Sequence, residues 1–293
     1  MKLPDVDYVR PQTLQEAIDL LAAHGGDAKL IAGGQSLMPM LAFRLLAPTL
    51  LVDIGRLPGL DRIEITPDGV RLGALVTWRA IERHPQLAAA HPLLVAAIAH
   101  VAHYQIRNRG TIGGSLAHCD PAAEFPALVV TCNADVVVAG PGGERIVKGD
   151  DFVLGAMTTA LAADEVIVAV RFPPWPAARR FAFEEFARRR GDFAMAAAAV
   201  FYDCDAGGRV VDPHVGVIGG AERATRLAAV EQLIAGKVID QDLIAAARRT
   251  AEDVVEPSED IHASAAYRRA LVGVLIARAL ARCAGIAPAA IAA

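Results

Sequence analysis

The sequence predicts an α+β fold, on three observations. Beyond a proline-rich break at residues 173–178, β-rich runs come first and helical runs follow, the order of segregated strands and helices. Upstream of the break, helical stripes and strand-like runs occupy separate stretches. The chain has 293 residues, enough for a sizeable core and compatible with one, two or three domains.

In "TLQEAIDLLAAHGG", Leu14, Ala17, Ile18 and Leu21 form a helical stripe, with Thr13 as N-cap, Glu16 three residues on, and Gly25 and Gly26 as the stop. "AKLIAGG" reads as a short buried strand entering a glycine turn and "LLVDIG" as another, so two strands and a helix precede residue 57. "RIEITPDGVRLGALVTW" reads as two strands joined around Pro67, Asp68 and Gly69. "PLLVAAIAHVAHYQI" is expected as one helix, broken by "RNRGTIGG". "ALVVTCNADVVVAGPGGERIV" alternates and turns at Pro141, Gly142 and Gly143, which predicts a hairpin, and "DEVIVAVRFP" is β-rich. Consecutive prolines in "PPWPAA" exclude helix and favour extended backbone, which places a boundary near residue 177. Beyond it "RFAFEEFARR", "FAMAAAAVFYD" and "RVVDPHVGVIGG" suggest strands, the alanine-rich second one fitting a helix equally well. Helices are expected in "AERATRLAAVEQLIAG", "DQDLIAAARRTAEDV" and "ASAAYRRALVGVLIARALARCAG".

The hydrophobic fraction of 54% owes much to alanine, which packs tightly and drives burial weakly, so the chain reads as globular. A formal charge of -4 supplies no general field for nucleic acid, and the arginines of 178–180 and 187–190 read as solvated surface. The first residues, "MKLPDVDYVRPQTLQ", place acids and prolines where a secretory signal needs an apolar run. Between His84 and Tyr104 the uncharged stretch is interrupted by prolines, a glutamine and histidines, which argues against a membrane span. A cytoplasmic protein is expected. Cys119, Cys132, Cys204 and Cys283 form no C-x-x-C pair, so free thiols and no metal centre of the chain's own are expected.

Two segments share a Gly-Gly-polar pattern, "AGGQSLMPML" at 32–41 and "TIGGSLAHCD" at 111–120. Paired glycines admit positive φ and let a ligand approach the main chain without meeting a Cβ. Successive exposed N–H groups then bind an anion, and two such nests on separate segments suit a pyrophosphate gripped from both sides. Gln35, Ser36, Thr111 and Ser115 add side-chain donors. Each motif alone is an ordinary turn. No G-x-G-x-x-G opens a helix, and Gly236-Lys237 is followed by valine, so a dinucleotide held without a Rossmann unit is the reading left.

"AGGQSLMPML" together with "HYQIRNRGTIGGSLAHCDPAAEFPAL" resembles the FAD-binding medium subunits of molybdenum hydroxylases, the carbon monoxide dehydrogenase and xanthine dehydrogenase family. Agreement runs almost end to end, through "LGALVTWRAIERHP", "TTALAADEVIVAVRFP" and "ARRRGDFAMAAAAV" to "HVGVIGGAERATRLAAVEQLI". The resemblance implies a vanillyl-alcohol-oxidase (PCMH)-type FAD-binding domain in two subdomains, residues 1–57 and 58–177, followed by a C-terminal α+β domain of the CO dehydrogenase flavoprotein type over 178–293. It implies that Ala32, Gly33, Gly34, Gln35 and Ser36 bind the pyrophosphate from one side and Thr111, Ile112, Gly113, Gly114 and Ser115 from the other. Glu124 matches an acid near the nucleotide end, Ile167 a backbone contact, and Asp192 and Phe193 an acid and an apolar or aromatic residue facing the isoalloxazine.

The chain departs from close relatives in having Gln35 for histidine, Phe193 for tyrosine, and the acids Glu184 and Glu185 near the place of a lysine. Phe193 can stack on a flavin but donates no hydrogen bond. The acidic pair offers a reduced flavin no positive charge and reads equally as a solvated strand face. In the family reading a large subunit oxidises substrate at a molybdenum centre and a small subunit carries 2Fe-2S clusters. Electrons reach FAD on this chain and leave to an external acceptor, in a dimer of heterotrimers. A self-sufficient FAD oxidase or dehydrogenase and a non-enzymatic FAD-binding assembly protein are the alternatives.

No catalytic residue and no metal ligand is assigned. His100 and His103, three apart on the expected helix, lack a third ligand nearby and read as packing residues. His118, Cys119 and Asp120 are sequence neighbours, which seldom face one another productively. Trp78 and Trp175 read as core and linker-anchoring residues.

Overall fold

The structure, a computed structural model, describes residues 3–287. Strands Asp7–Val9, Leu50–Asp53 and Ala28–Ile31 form a parallel sheet in that spatial order. The helix Leu14–Ala23 packs on it through Ala17, Ile18 and Leu21. Thr13 caps this helix, its Oγ1 accepting from the Glu16 N–H at 3.1 Å, while the Glu16 carboxylate accepts the N–H of Gln12 at 2.7 Å. One orphan donor of the first turn is thereby satisfied, and the carboxylate ties the residue before the cap to the helix. Asp7–Val9 is a strand that periodicity does not show, being three residues long.

A five-stranded antiparallel sheet follows, in the order Ile63–Thr66, Gly69–Gly73, Val166–Phe172, Asp135–Gly140 and Gly143–Lys148. One face, with Val137, Ala139, Val166 and Val168, shares the core of the first unit. The other, with Leu72, Val136, Val138 and Val170, packs on helical segments that include Ile112–His118 and Glu124–Thr131. A bulge between Ile167 and Ala169 reverses the alternation within one strand, so Ile167 and Val170 share a face.

The last sheet is antiparallel, in the order Arg180–Phe186, Ala196–Cys204, Val210–Ile218 and Thr225–Arg226. Helices Ala228–Ile234, Gln241–Val254 and Ala265–Ala284 share a core with one of its faces. The alanine-rich run is thus a strand buried on both sides. Ala196, Ala198, Val200 and Tyr202 join the helical core, while Ala197, Ala199 and Phe201 join that of the five-stranded sheet. Small side chains let layers approach from both directions.

Three expected elements differ. "PLLVAAIAHVAHYQI" is two helices, Pro92–Ile98 and Tyr104–Arg107, because the Arg107 guanidinium takes the carbonyls of Val101 and Ala102 and Ala102 turns to φ 43°. In "ALVVTCNADVVV" the first part belongs to the helix Glu124–Thr131, buried at every position, and only the remainder forms the hairpin. In "AERATRLAAVEQLIAG" the helix begins at Ala228, after Thr225–Arg226 has joined the sheet. Among the described residues no helix is long and apolar enough to cross a membrane.

Candidate cofactor site

The turn 32–36 leaves the carboxyl end of the strand Ala28–Ile31 and meets the backbone of Arg109 and Gly110. A Cβ on Gly33 would lie 2.0 Å from the Arg109 carbonyl oxygen, so only glycine allows this approach. Gly34 has φ +73°, the left-handed region. Among the described residues no acceptor takes the N–H groups of Gly33, Gly34, Gln35 or Ser36. Four successive unpaired donors on one half-buried turn form an anion cradle, because backbone N–H groups not taken up by the fold are free to hold negative charge. The Gln35 side chain is spent on the turn itself, its Nε2 donating to the Gly33 carbonyl at 2.9 Å.

The second glycine motif has a different geometry. It opens the helix Ile112–His118, and its N–H groups are committed to the fold. Ile112 donates to the Val76 carbonyl at 3.0 Å, Gly113 to that of Ala74 at 2.9 Å, Gly114 to Thr111 Oγ1 at 3.1 Å and Ser115 to the Thr111 carbonyl at 3.0 Å. The expectation of two open nests is therefore corrected to one. The second segment contributes bare surface and the Ser115 hydroxyl. Its glycines divide the work: a Cβ on Gly113 would stand 2.7 Å from that of Ala74, whereas on Gly114 it would meet only Thr111 Oγ1, at 2.9 Å. Gly113 permits packing, and Gly114 keeps the wall open.

Between the two segments lies a cavity of about 570 Å³, within the range of cofactor pockets. Ala32, Gly33, Gly34, Gln35, Ser36, Thr111, Gly113, Gly114, Ser115, Glu124, Ile167, Asp192 and Phe193 all line it. Ile112 does not: its side chain is fully buried in the core below. Glu124 begins the helix Glu124–Thr131 on the cavity wall, and burial, reinforced by the Glu185 and Asp120 carboxylates, pushes its carboxyl up to about 8. At neutral pH it is held protonated, and in that form a carboxyl is a hydrogen-bond donor. Asp192 and Phe193 sit on the loop between Arg180–Phe186 and Ala196–Cys204, with Phe193 68% exposed and free to cover a ligand.

Glu184 and Glu185 do not form a solvated face. The Glu185 side chain is 4% exposed and 3.6 Å from His100 Nδ1, and Glu184 Oε1 lies 2.9 Å from Arg282 Nη2. His118 lines the cavity, but Cys119 turns away at φ 53°, buried with its thiol 3.7 Å from the Gly155 carbonyl, so the two form no nucleophilic pair. His103 lines the cavity and precedes the helix Tyr104–Arg107, while His100 faces Glu185, so the two do not share a helical face. Trp78 is buried against Phe125 and reaches the cavity wall, and Trp175 anchors the linker among His91, Phe181 and Phe201. His103, Ile106, His118 and Leu161 are wall residues to which the sequence reading gave no cofactor role, since they come together around the cavity only through the fold.

Residues 4–175 match the family described as FAD binding domain in molybdopterin dehydrogenase, and residues 181–283 match the CO dehydrogenase flavoprotein C-terminal domain. The chain belongs to this family, as an FAD subunit of the molybdenum hydroxylases. The FAD subunit is 40% identical to the nicotine 6-hydroxylase medium subunit of Paenarthrobacter nicotinovorans, over 96% of this chain and 98% of that one. Carbon monoxide dehydrogenase from Hydrogenophaga pseudoflava, in a form lacking the Mo-pyranopterin moiety of its molybdenum cofactor, superposes with TM-score 0.93 at 38% identity, covering 97% of this chain and 98% of that one. Quinoline 2-oxidoreductase from Pseudomonas putida 86 gives 0.92 at 40% identity, covering 97% and 99%. FAD is thus the cofactor, and the FAD subunit is one component of a multi-subunit oxidoreductase. The unpaired N–H groups of 33–36 and the open wall at Gly114 fit that cofactor's pyrophosphate.

Proposed function

We propose that this FAD subunit is the electron exit of its complex. It receives electrons from 2Fe-2S clusters on a small subunit and passes them to an external acceptor, while substrate is oxidised at the molybdenum centre of a large subunit; the assembly is a dimer of heterotrimers. One observation carries the reading: four unpaired N–H groups, a bare glycine wall and the exposed pair Asp192 and Phe193 all border one cavity. The names of its relatives, a medium subunit and medium chains, support the partnership.

Bound FAD supplies the exchange of single electrons for an electron pair. The protein's part is to hold and shield it. Gly33, Gly34, Gln35 and Ser36 donate their N–H groups to the pyrophosphate, and Ala32 sets the turn's entry. Gly114 and Ser115 let the phosphates lie against the helix start, which Thr111 caps and which Ile112 and Gly113 fasten to Val76 and Ala74. Neutral Glu124 donates at the nucleotide end, and Ile167 presents backbone from the bulged strand. Asp192 and Phe193 face the isoalloxazine, where Phe193 stacks and excludes water. Subdomains 1–57 and 58–177 hold the cofactor between them and 178–293 closes over it.

Purification of the native complex tests this reading. Molybdenum, iron and FAD are expected to co-elute with the FAD subunit, with a visible spectrum combining iron-sulfur and flavin bands, and the isolated subunit is expected not to oxidise substrate. Substrate turnover by the FAD subunit alone would establish the self-sufficient oxidase instead.

A further inference from the structure

The corner 101–103, between the helices Pro92–Ile98 and Tyr104–Arg107, is built around one guanidinium. Arg107 Nη1 donates to the Val101 carbonyl at 2.9 Å and to the Ala102 carbonyl at 2.8 Å. Ala102 has φ 43°, a conformation disfavoured for any residue with a Cβ, so its carbonyl points where it does only because something holds it. On its other side Arg107 Nε stands 2.9 Å from Glu82 Oε1, an ion pair without hydrogen-bond alignment. Glu82 Oε2 also accepts from Arg79 Nη1 at 3.2 Å, and the Arg79 guanidinium covers the Tyr104 ring at 5.1 Å. Glu82 belongs to the helix Trp78–Arg83, which the buried Trp78 and Ile81 anchor in the core. The chain of contacts thus runs from core to corner.

The corner supports the loop that carries Asp192 and Phe193. Gly191, at φ +88°, packs so tightly on it that a Cβ would lie 2.7 Å from the Ala102 carbonyl oxygen and 3.5 Å from the His103 nitrogen. The same carbonyl therefore accepts from Arg107 on one side and seats Gly191 on the other. Ala102, His103, Gly191, Asp192 and Phe193 all border the cofactor cavity.

We propose that Arg107, held by Glu82, is the positioning residue for the flavin-facing loop: it locks the Ala102 carbonyl on which Gly191 rests and so sets where Asp192 and Phe193 stand. This rests on the reading that Asp192 and Phe193 face the isoalloxazine. Without Arg107 the corner relaxes from its left-handed conformation, the seat for Gly191 is lost, and the loop opens while the pyrophosphate cradle at 33–36 stays intact.

The experiment compares Arg107→Ala, Glu82→Gln, Phe193→Ala and Arg107→Ala/Phe193→Ala with the unmodified full chain, all loaded with FAD. Trypsin reports the loop directly, because Arg188, Arg189 and Arg190 are exposed on it. Cleavage there is expected to be about tenfold faster in Arg107→Ala, at retained FAD stoichiometry. Its flavin absorbance should shift as in Phe193→Ala, and the double variant should shift no further. Native cleavage and spectrum in folded Arg107→Ala would overturn the proposal; if that variant does not fold, Glu82→Gln is judged by the same two criteria. A spectrum shifted by Phe193→Ala but native in Arg107→Ala overturns this inference alone. A spectrum that Phe193→Ala leaves unchanged removes the flavin-facing role of the loop and this inference with it.

Discussion

Gly33→Ala perturbs the contact that joins the two halves of the cofactor site. The new methyl would lie 2.0 Å from the Arg109 carbonyl oxygen and 2.7 Å from its carbon, both backbone atoms that no rotamer change moves aside. Restoring even a 3.0 Å contact requires the two segments to separate by about 1.0 Å. Overpacking of this kind costs about 1–3 kcal/mol of stability. Its effect on the cofactor is larger, because the donors of 33–36 move away from the wall at Gly114 against which the pyrophosphate must lie. Charge-assisted hydrogen bonds contribute about 1.5–3 kcal/mol each, so loss of one or two weakens FAD binding by about 3 kcal/mol, about a hundredfold in Kd. Titration of cofactor-free chain with FAD, followed by quenching of flavin fluorescence, measures this, with Tm recorded in parallel. Gly69→Ala is the control, since its methyl also falls 2.0 Å from a backbone carbonyl, that of Phe172, away from the cavity. It should lose stability and keep FAD affinity. Native FAD affinity in Gly33→Ala, with Tm lowered as in the control, would refute the reasoning.

Gly114→Val should remove FAD while leaving a folded chain, because the added side chain enters the cavity. Gly113→Ala should instead lower Tm, because its methyl meets Ala74; released flavin and Tm distinguish the two. Phe193→Ala should change the flavin reduction potential, measured by dye-coupled titration, while stability moves by no more than about 0.5 kcal/mol, as expected for a side chain 68% exposed. Stability of the cofactor-free chain should fall at both ends of the pH scale, read from urea midpoints. Burial lifts the Glu124 carboxyl from 4.5 to about 8, so the folded chain holds a proton that the unfolded chain has released, and this contribution, full below pH 4.5, is lost as pH rises to about 8. Burial, aided by the Arg179 charge, lowers His91 from 6.5 to about 3, so its contribution, full above pH 6.5, is lost as pH falls toward 3. Glu124→Gln should flatten the alkaline limb and His91→Asn the acid limb, asparagine keeping a capping acceptor where His91 Nδ1 takes the Leu94 N–H at 3.2 Å.

Half-buried elements were legible in the sequence because one face of each is apolar and the other polar. The stripe of Leu14–Ala23 and the turns of both hairpins fall where periodicity and turn chemistry put them. The helix Glu124–Thr131 was not legible, since an element buried on every side carries no period. The strand Ala196–Cys204 stayed ambiguous for the same reason, alanine fitting either state until two packed layers decide. The break at Ala102 depends on Arg107 folding back, a choice no local propensity encodes. At the site, the two glycine motifs look alike in letters. They differ because Val76 and Ala74 take the donors of Ile112 and Gly113, whereas among the described residues the donors of 33–36 find no acceptor. The burial of Glu184 and Glu185 likewise depends on Arg282 and His100, far away in the chain.

Rapid mixing of substrate with the assembled complex, recording flavin and iron-sulfur absorbance together without an external acceptor, tests the electron-exit role most directly. The iron-sulfur bands are expected to bleach first and the flavin band to follow within the same turnover, with reoxidation of the flavin on adding acceptor. Reduced iron-sulfur centres beside a flavin that stays oxidised in a fully assembled complex would contradict it.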